Sequence, residues 1–200
     1  GAGTVCPAIV GEDAETILTP SAATWESAER VSAEFAVTAG MMGILGFTGD
    51  VAGLSRQTRR EIRRLVDWYL PHRAWLVGAA THLLTPPEPL TNRGGWLAFQ
   101  YQATGDDRSL VFVFTQPLHG QAERRFPLRE LDPQATYQVR REVPAGPPAE
   151  ATEAGGRQLM EQGLAVRIPW AQHAVWEARV YSVSRSRENG RQPAAAFPTA

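Results

Sequence analysis

Two hundred residues, 43% of them apolar, suffice for one sizeable core or for one domain plus a piece of another, and argue against the membrane and disordered classes. A formal net charge of −1 supplies no field that would draw in nucleic acid or acidic lipid, so neither a nucleic-acid nor a membrane partner is expected. All 20 basic residues are Arg, which we read as a genomic bias, and the lone Cys6 excludes an internal disulfide and a cysteine-based zinc cluster.

The opening GAGTVCPAIV has no initiator Met, no charged n-region and too short an apolar run for a signal or a membrane span, and reads as a chain processed or cut from something longer. Glu12, Asp13 and Glu15 form an acidic loop that could line a substrate pocket, though a solvated loop is the simpler account. From Thr24 to Met42, the apolar residues Trp25, Ala28, Phe35, Ala39 and Met42 recur at helical spacing, with Thr24 placed to cap. An amphipathic helix is predicted there. GFTGDVAGLS (46–55) follows, with one acid, Asp50, between glycines that permit positive φ and close backbone approach. Ser55 is a fitting N-cap for a second helix whose apolar stripe is Ile62, Leu65, Val66, Tyr69 and Leu70. The opposite face carries Arg56, Arg59, Arg60, Arg63 and Arg64. Glu61 and Asp67 sit among them and no aromatics interleave, which marks a solvated or ion-paired face and not a nucleic-acid reader. Pro71 should kink or end this helix, although HRAWLVG can continue helically to Gly78.

Beyond Gly78 the apolar period changes to two. The runs 96–103, 109–116, 124–128, 136–142, 163–169 and 174–183 are short, rich in Val, Phe, Tyr and Trp, and separated by turn residues. They predict an antiparallel sandwich or barrel. A hairpin connection contains Gly105, a turn falls at Asp132-Pro133, and 143–156 reads as a Pro/Gly/Ala surface loop. Residues 185–200, rich in Arg, Pro and Ala, are predicted to be a disordered tail.

Chemical signatures are sparse. There is no Gly-x-Gly-x-x-Gly, no phosphate loop and no Gly-x-Ser-x-Gly elbow. His72, His82, His119 and His173 lack the paired spacing of a zinc site, so no metal and no cofactor is expected. Trp96, Trp170 and Trp176 suit either sugar stacking or a strand core, and core is the commoner use. No catalytic residue is assigned.

The order of these parts is itself informative. A helix leading into MMGILGFTGDVAGLSRQTRREIRRLVDWYLPHR (41–73), then GGWLAFQYQATGDDRSLVFVFTQP (94–117), LRELDPQATYQV (128–139) and GRQLMEQGLAVRIP (156–169), resembles the carboxyl end of melibiase-type α-galactosidases. The resemblance spans about residues 24–183. It implies an α+β fragment, in which the final helix-strand-helix of a (β/α)8 barrel (1–78) is followed by an antiparallel β-sandwich (79–184). It also implies retaining hydrolysis by two aspartates on earlier barrel strands, outside this chain. Chain arithmetic agrees, because a full barrel takes about 250 residues. Asp50, at the C-terminal end of the last barrel strand, becomes a candidate substrate-binding residue beside its turn-forming role. Val51 stands where Leu is usual and residues 1–23 do not match, so a relative acting on another α- or β-linked sugar stays open. The partners implied are the rest of the polypeptide or barrel and an oligosaccharide, a homo-oligomer is allowed, and without a visible secretion signal a cytoplasmic location is favoured. The alternative is a free-standing β-sandwich that binds carbohydrate through exposed tryptophans.

Overall fold

The computed structural model describes residues 15–18, 29–43, 45–47, 51–86, 95–103, 105, 107–116, 120–143, 151–168 and 176–186. The chain divides after Val77 into two compact units.

In the first unit, β1 (Glu15–Leu18) pairs antiparallel with β2 (Glu29–Ser32), and α1 (Ala33–Gly40) follows directly. The helix predicted from Thr24 therefore starts at Ala33. Ser32 holds an extended conformation and its Oγ accepts the Phe35 N–H at 3.1 Å, so the cap sits there and the preceding residues are committed to a strand. Nor is α1 amphipathic: Ala33 and every residue from Phe35 to Gly40 are buried, as befits a helix apolar nearly all round. Leu45–Phe47 carries no strand pairing, and the remainder of the expected strand before Asp50 lies outside the described residues.

The second helix, α2 (Arg56–Tyr69), forms as its pattern requires. Ser55 Oγ accepts the Thr58 N–H at 3.1 Å, and Ile62, Leu65 and Tyr69 are buried at one-turn intervals. It packs on α1, and Arg64 reaches Glu34 across that contact at 3.4 Å. Leu70, expected in the stripe, is exposed because the helix stops at Tyr69 ahead of Pro71, and a short α3 (Arg73–Gly78) resumes after the break.

In the second unit, β3 (Ala80–Leu83), β4 (Trp96–Gln102), β5 (Arg108–Thr115), β7 (Thr136–Val143), β8 (Thr152–Gly155) and β10 (Glu177–Arg185) build one antiparallel sheet of order β3-β4-β5-β10-β7-β8. The strands β6 (Glu123–Phe126) and β9 (Leu164–Arg167) pair separately, and α4 (Gly156–Glu161) lies between β8 and β9. Trp96, Ala98, Val111, Val113, Tyr137, Val139 and Val183 of the large sheet meet Phe126, Leu128, Leu159, Leu164, Val166 and Ile168 in one core. The result is an unequal sandwich. β8 corrects the sequence reading, since it occupies ground assigned to the loop 143–156, and α4 fills a stretch that, past Gly156, carried no assignment. β8 is polar and has no period of its own; it forms because its backbone pairs with β7, Val139 against Thr152 and Thr136 against Gly155.

The large sheet is apolar on its other face as well. Leu110, Phe112, Phe114, Ala178 and Val180 are each no more than 5% exposed, and Tyr101 packs edge-on to Phe112 with ring centroids 5.4 Å apart. Burial pushes the Tyr101 phenol up to about 12. Its folded pKa thus lies above the unfolded value near 10, so the stabilisation is complete below pH 10 and is lost as pH rises from 10 to 12. Urea unfolding across that window should show stability falling by up to about 1.4 kcal/mol per pH unit from this residue, and Tyr101→Phe should flatten the slope. An unchanged slope in the variant would contradict the assignment.

Candidate functional site

Asp50, the candidate substrate-binding residue, lies outside the described residues with Thr48 and Gly49, and described residues before and after that stretch contact α2. On the N-terminal side, the Gly43 carbonyl accepts the Tyr69 hydroxyl of α2 at 3.3 Å. On the C-terminal side, Arg59 Nη1 donates to the Ala52 carbonyl at 2.8 Å, Leu54 is 3% exposed, and Ser55 begins the helix as its cap. Ser55 and Thr58 also share a hydroxyl–hydroxyl hydrogen bond of 2.9 Å. Both flanks are therefore fastened to α2.

The remaining candidates separate cleanly. Trp96 is 3% exposed and lies 5.9 Å from the Phe126 ring, so it is a core residue. Trp176 is half-buried, and Trp170 lies outside the described residues. His72 stacks on Trp68 with centroids 4.4 Å apart, and its Nδ1 lies 2.7 Å from the Trp68 carbonyl. His82 Nε2 is 3.7 Å from Glu130 Oε2. His119, His173, Cys6, Glu12 and Asp13 lie outside the described residues, and of Glu15 only the backbone, in β1, is described. Among the described residues no three His, Cys, Asp or Glu side chains gather as a metal site would need.

Two polar clusters were not anticipated from the sequence, and both serve the fold. Gln100, fully buried on the core-facing side of β4, accepts the Arg129 N–H at 2.7 Å and donates to the Arg129 carbonyl at 2.9 Å. It also donates to Gln102 Oε1 at 3.1 Å and Ser109 Oγ at 3.2 Å, and Ser109 hydrogen-bonds to Gln102. One amide thus takes the place of a strand partner for the chain entering Glu130, a non-glycine residue with φ of 55°. The signal that could have revealed it is the alternation Trp96, Ala98, Gln100, Gln102, which aims two amides into a core. The second cluster closes the Asp132-Pro133 turn. Tyr137 Oη accepts the Asp132 N–H at 2.9 Å, and Arg185 bridges Asp107 at 2.8 Å and Asp132 at 3.1 Å. Burial raises the Tyr137 pKa despite the lowering effect of that hydrogen bond, while the bond to Asp107 raises that of Arg185.

This architecture has known counterparts. Residues 96–183 match the Glycosyl hydrolase family 36 C-terminal domain. Among solved structures, the α-galactosidase AgaB from Geobacillus stearothermophilus superimposes with a TM-score of 0.62 at 19% identity, over 80% of this chain and 20% of that one. The galactosidase domain of the α-galactosidase-sucrose kinase AgaSK gives 0.65 at 21% identity, over 81% and 21%. A variant of the α-galactosidase AgaA from Geobacillus stearothermophilus, in complex with stachyose, gives 0.64 at 16% identity, over 83% and 21%. No curated protein sequence matches. The chain spans about a fifth of the length of these α-galactosidase structures. By fold the chain is similar to a part of these α-galactosidase structures.

Proposed function

We propose that this chain is the C-terminal segment of a retaining glycoside hydrolase acting on terminal α-galactosyl or related bonds, with both catalytic aspartates in preceding sequence. The observation that carries the proposal is the extent of the likeness. It covers at least 80% of the chain in the structures described above, beyond the sandwich alone, in an order shared with α-galactosidases. In this reading residues 1–78 complete a (β/α)8 barrel, the sandwich packs on that barrel and stabilises it, and Asp50 accepts a hydrogen bond from a sugar hydroxyl at the barrel's C-terminal rim. The second apolar face of the large sheet and the anchoring of both flanks of Asp50 to α2 support those assignments. An oligosaccharide is the substrate class, as the stachyose complex of the AgaA variant suggests by analogy. Exposed-tryptophan carbohydrate binding is the weaker alternative, since Trp96 is a core residue.

The test is hydrolysis of p-nitrophenyl α-D-galactopyranoside by the complete protein. Activity is expected there and not in residues 1–200 alone, and Asp50→Asn should lower kcat/KM about 10- to 100-fold, mostly through KM, with unchanged melting. An active isolated chain, or a folded complete protein that hydrolyses no glycoside, would refute the proposal. Unaltered kinetics in Asp50→Asn would remove only the role of that residue.

A further inference from the structure

The core-facing side of the large sheet becomes charged where β7 and β10 run on past β8. Along β10 this side carries Glu177, Arg179, Tyr181 and Val183, and the register sets Arg179 opposite Val113 and Tyr181 opposite Val111, both core residues. On the other flank of β10, Arg141 of β7 pairs directly with Tyr181, beyond the last residue of β7 that β8 reaches, Val139. Directly opposed side chains of an antiparallel pair lie within contact distance. The register shifts between Val180 and Tyr181, which makes Glu142 an extra residue of β7. Its carboxylate accepts the Ser182 hydroxyl at 2.6 Å, and Ser182 alternates with Tyr181 to the opposite side of the sheet. The acid next to Arg141 in sequence is therefore committed elsewhere.

Neither guanidinium is fully used by the fold. Arg179 pairs with Glu177, and its Nη1 donates to the Ala178 carbonyl at 3.1 Å, but its Nε is buried without an acceptor. Arg141 is half-buried and makes no hydrogen bond or ion pair among the described residues. Both cations act on the Tyr181 phenol, whose pKa burial raises and Arg179 and Arg141 lower, so the three groups stand within electrostatic reach of one another. A guanidinium donor held out of water without an acceptor carries a cost that an anion removes. Guanidiniums on two different strands, with a phenol hydroxyl adjoining both, offer donors that do not share one plane. That suits a tetrahedral oxyanion better than a planar carboxylate. We propose that Arg141, Arg179 and Tyr181 form a binding site for a phosphate group, as the free ion or as a monoester. The inference is independent of the glycosidase reading and uses no residue near Asp50.

The experiment is a phosphorus NMR titration of the complete protein against inorganic phosphate at fixed ionic strength. Saturable binding with a Kd of about 10 mM or tighter is expected. Arg141→Gln should weaken it about tenfold or more, and Arg141→Lys less, because lysine keeps the charge and loses the fork. Arg141 has no bonding partner among the described residues, so its variants should keep the parent melting temperature, and Tyr181→Phe, which removes only the hydroxyl, serves if they do not. Competition by phenyl phosphate assigns the site to monoesters, and its failure to compete assigns it to the free ion; either result is consistent with a phosphate site. Acetate should displace little. The proposal is overturned by a complete protein that shows no saturable binding, by binding that Arg141→Gln and Tyr181→Phe leave unchanged, or by acetate competing as well as phosphate.

Discussion

Replacing Gly156 by alanine should destabilise the sandwich by more than about 4 kcal/mol, a loss reserved for substitutions that force backbone apart. Gly156 opens α4, and its N–H donates to the Ala135 carbonyl at 2.8 Å. A Cβ there would stand 2.0 Å from the Asp132 carbonyl oxygen, 2.9 Å from its carbon and 3.0 Å from Tyr137 Cε2. None of these neighbours can step aside. The first two are backbone, and the turn that holds them is tied by Tyr137 and by Arg185. Relief therefore requires α4 to leave the turn, and Leu159 to leave the core with it. Gly155→Ala is the matched control: nothing lies within 4 Å of its Cβ and its φ of −70° suits any residue, so a change of about 1 kcal/mol or less is expected. Urea midpoints at constant m-value decide the matter, and equal midpoints for the two variants would contradict the packing described.

Leu65→Asp should release or unfold α2. Leu65 is 1% exposed at the centre of the buried stripe, so the variant loses the transfer energy of the side chain and places a carboxylate among apolar groups. Together these amount to about 4–5 kcal/mol, limited by protonation of the new acid as it is buried. The expected readouts are a lowered melting temperature, lost helical signal and protease sensitivity between Gly43 and Ser55, because both anchors of that segment reside on α2. Leu65→Met, close in volume, should cost less than about 1.5 kcal/mol. Thermal melting of Leu65→Asp identical to the parent would sink the assignment of this face.

Neither segment was equally readable in advance, and the difference is physical. The cap at Ser55, the stripe at Ile62, Leu65 and Tyr69, and the break at Pro71 depend on groups within a few residues of one another, so they stand in the sequence. The same holds for the period-two runs that became β4, β5, β7, β9 and β10, and for the Asp132-Pro133 turn, where Asp132 Oδ1 accepts the Gln134 N–H at 2.9 Å. Asp50 was legible as a motif, and the anchors on its flanks were not, because Tyr69 and Arg59 reach Gly43 and Ala52 across 26 and 7 residues.

By itself, then, the sequence determined the capped helix, the alternating strands and the order of parts that resembles an α-galactosidase terminus. Only the tertiary structure decided that 29–32 would be a strand, that α1 would be buried nearly all round, that β8 would complete the sheet edge, and that Gln100 would replace a strand partner for Arg129. Each of these is settled by a backbone group finding its hydrogen-bond partner in a distant segment, and a local pattern of side chains carries no record of which distant segment that will be.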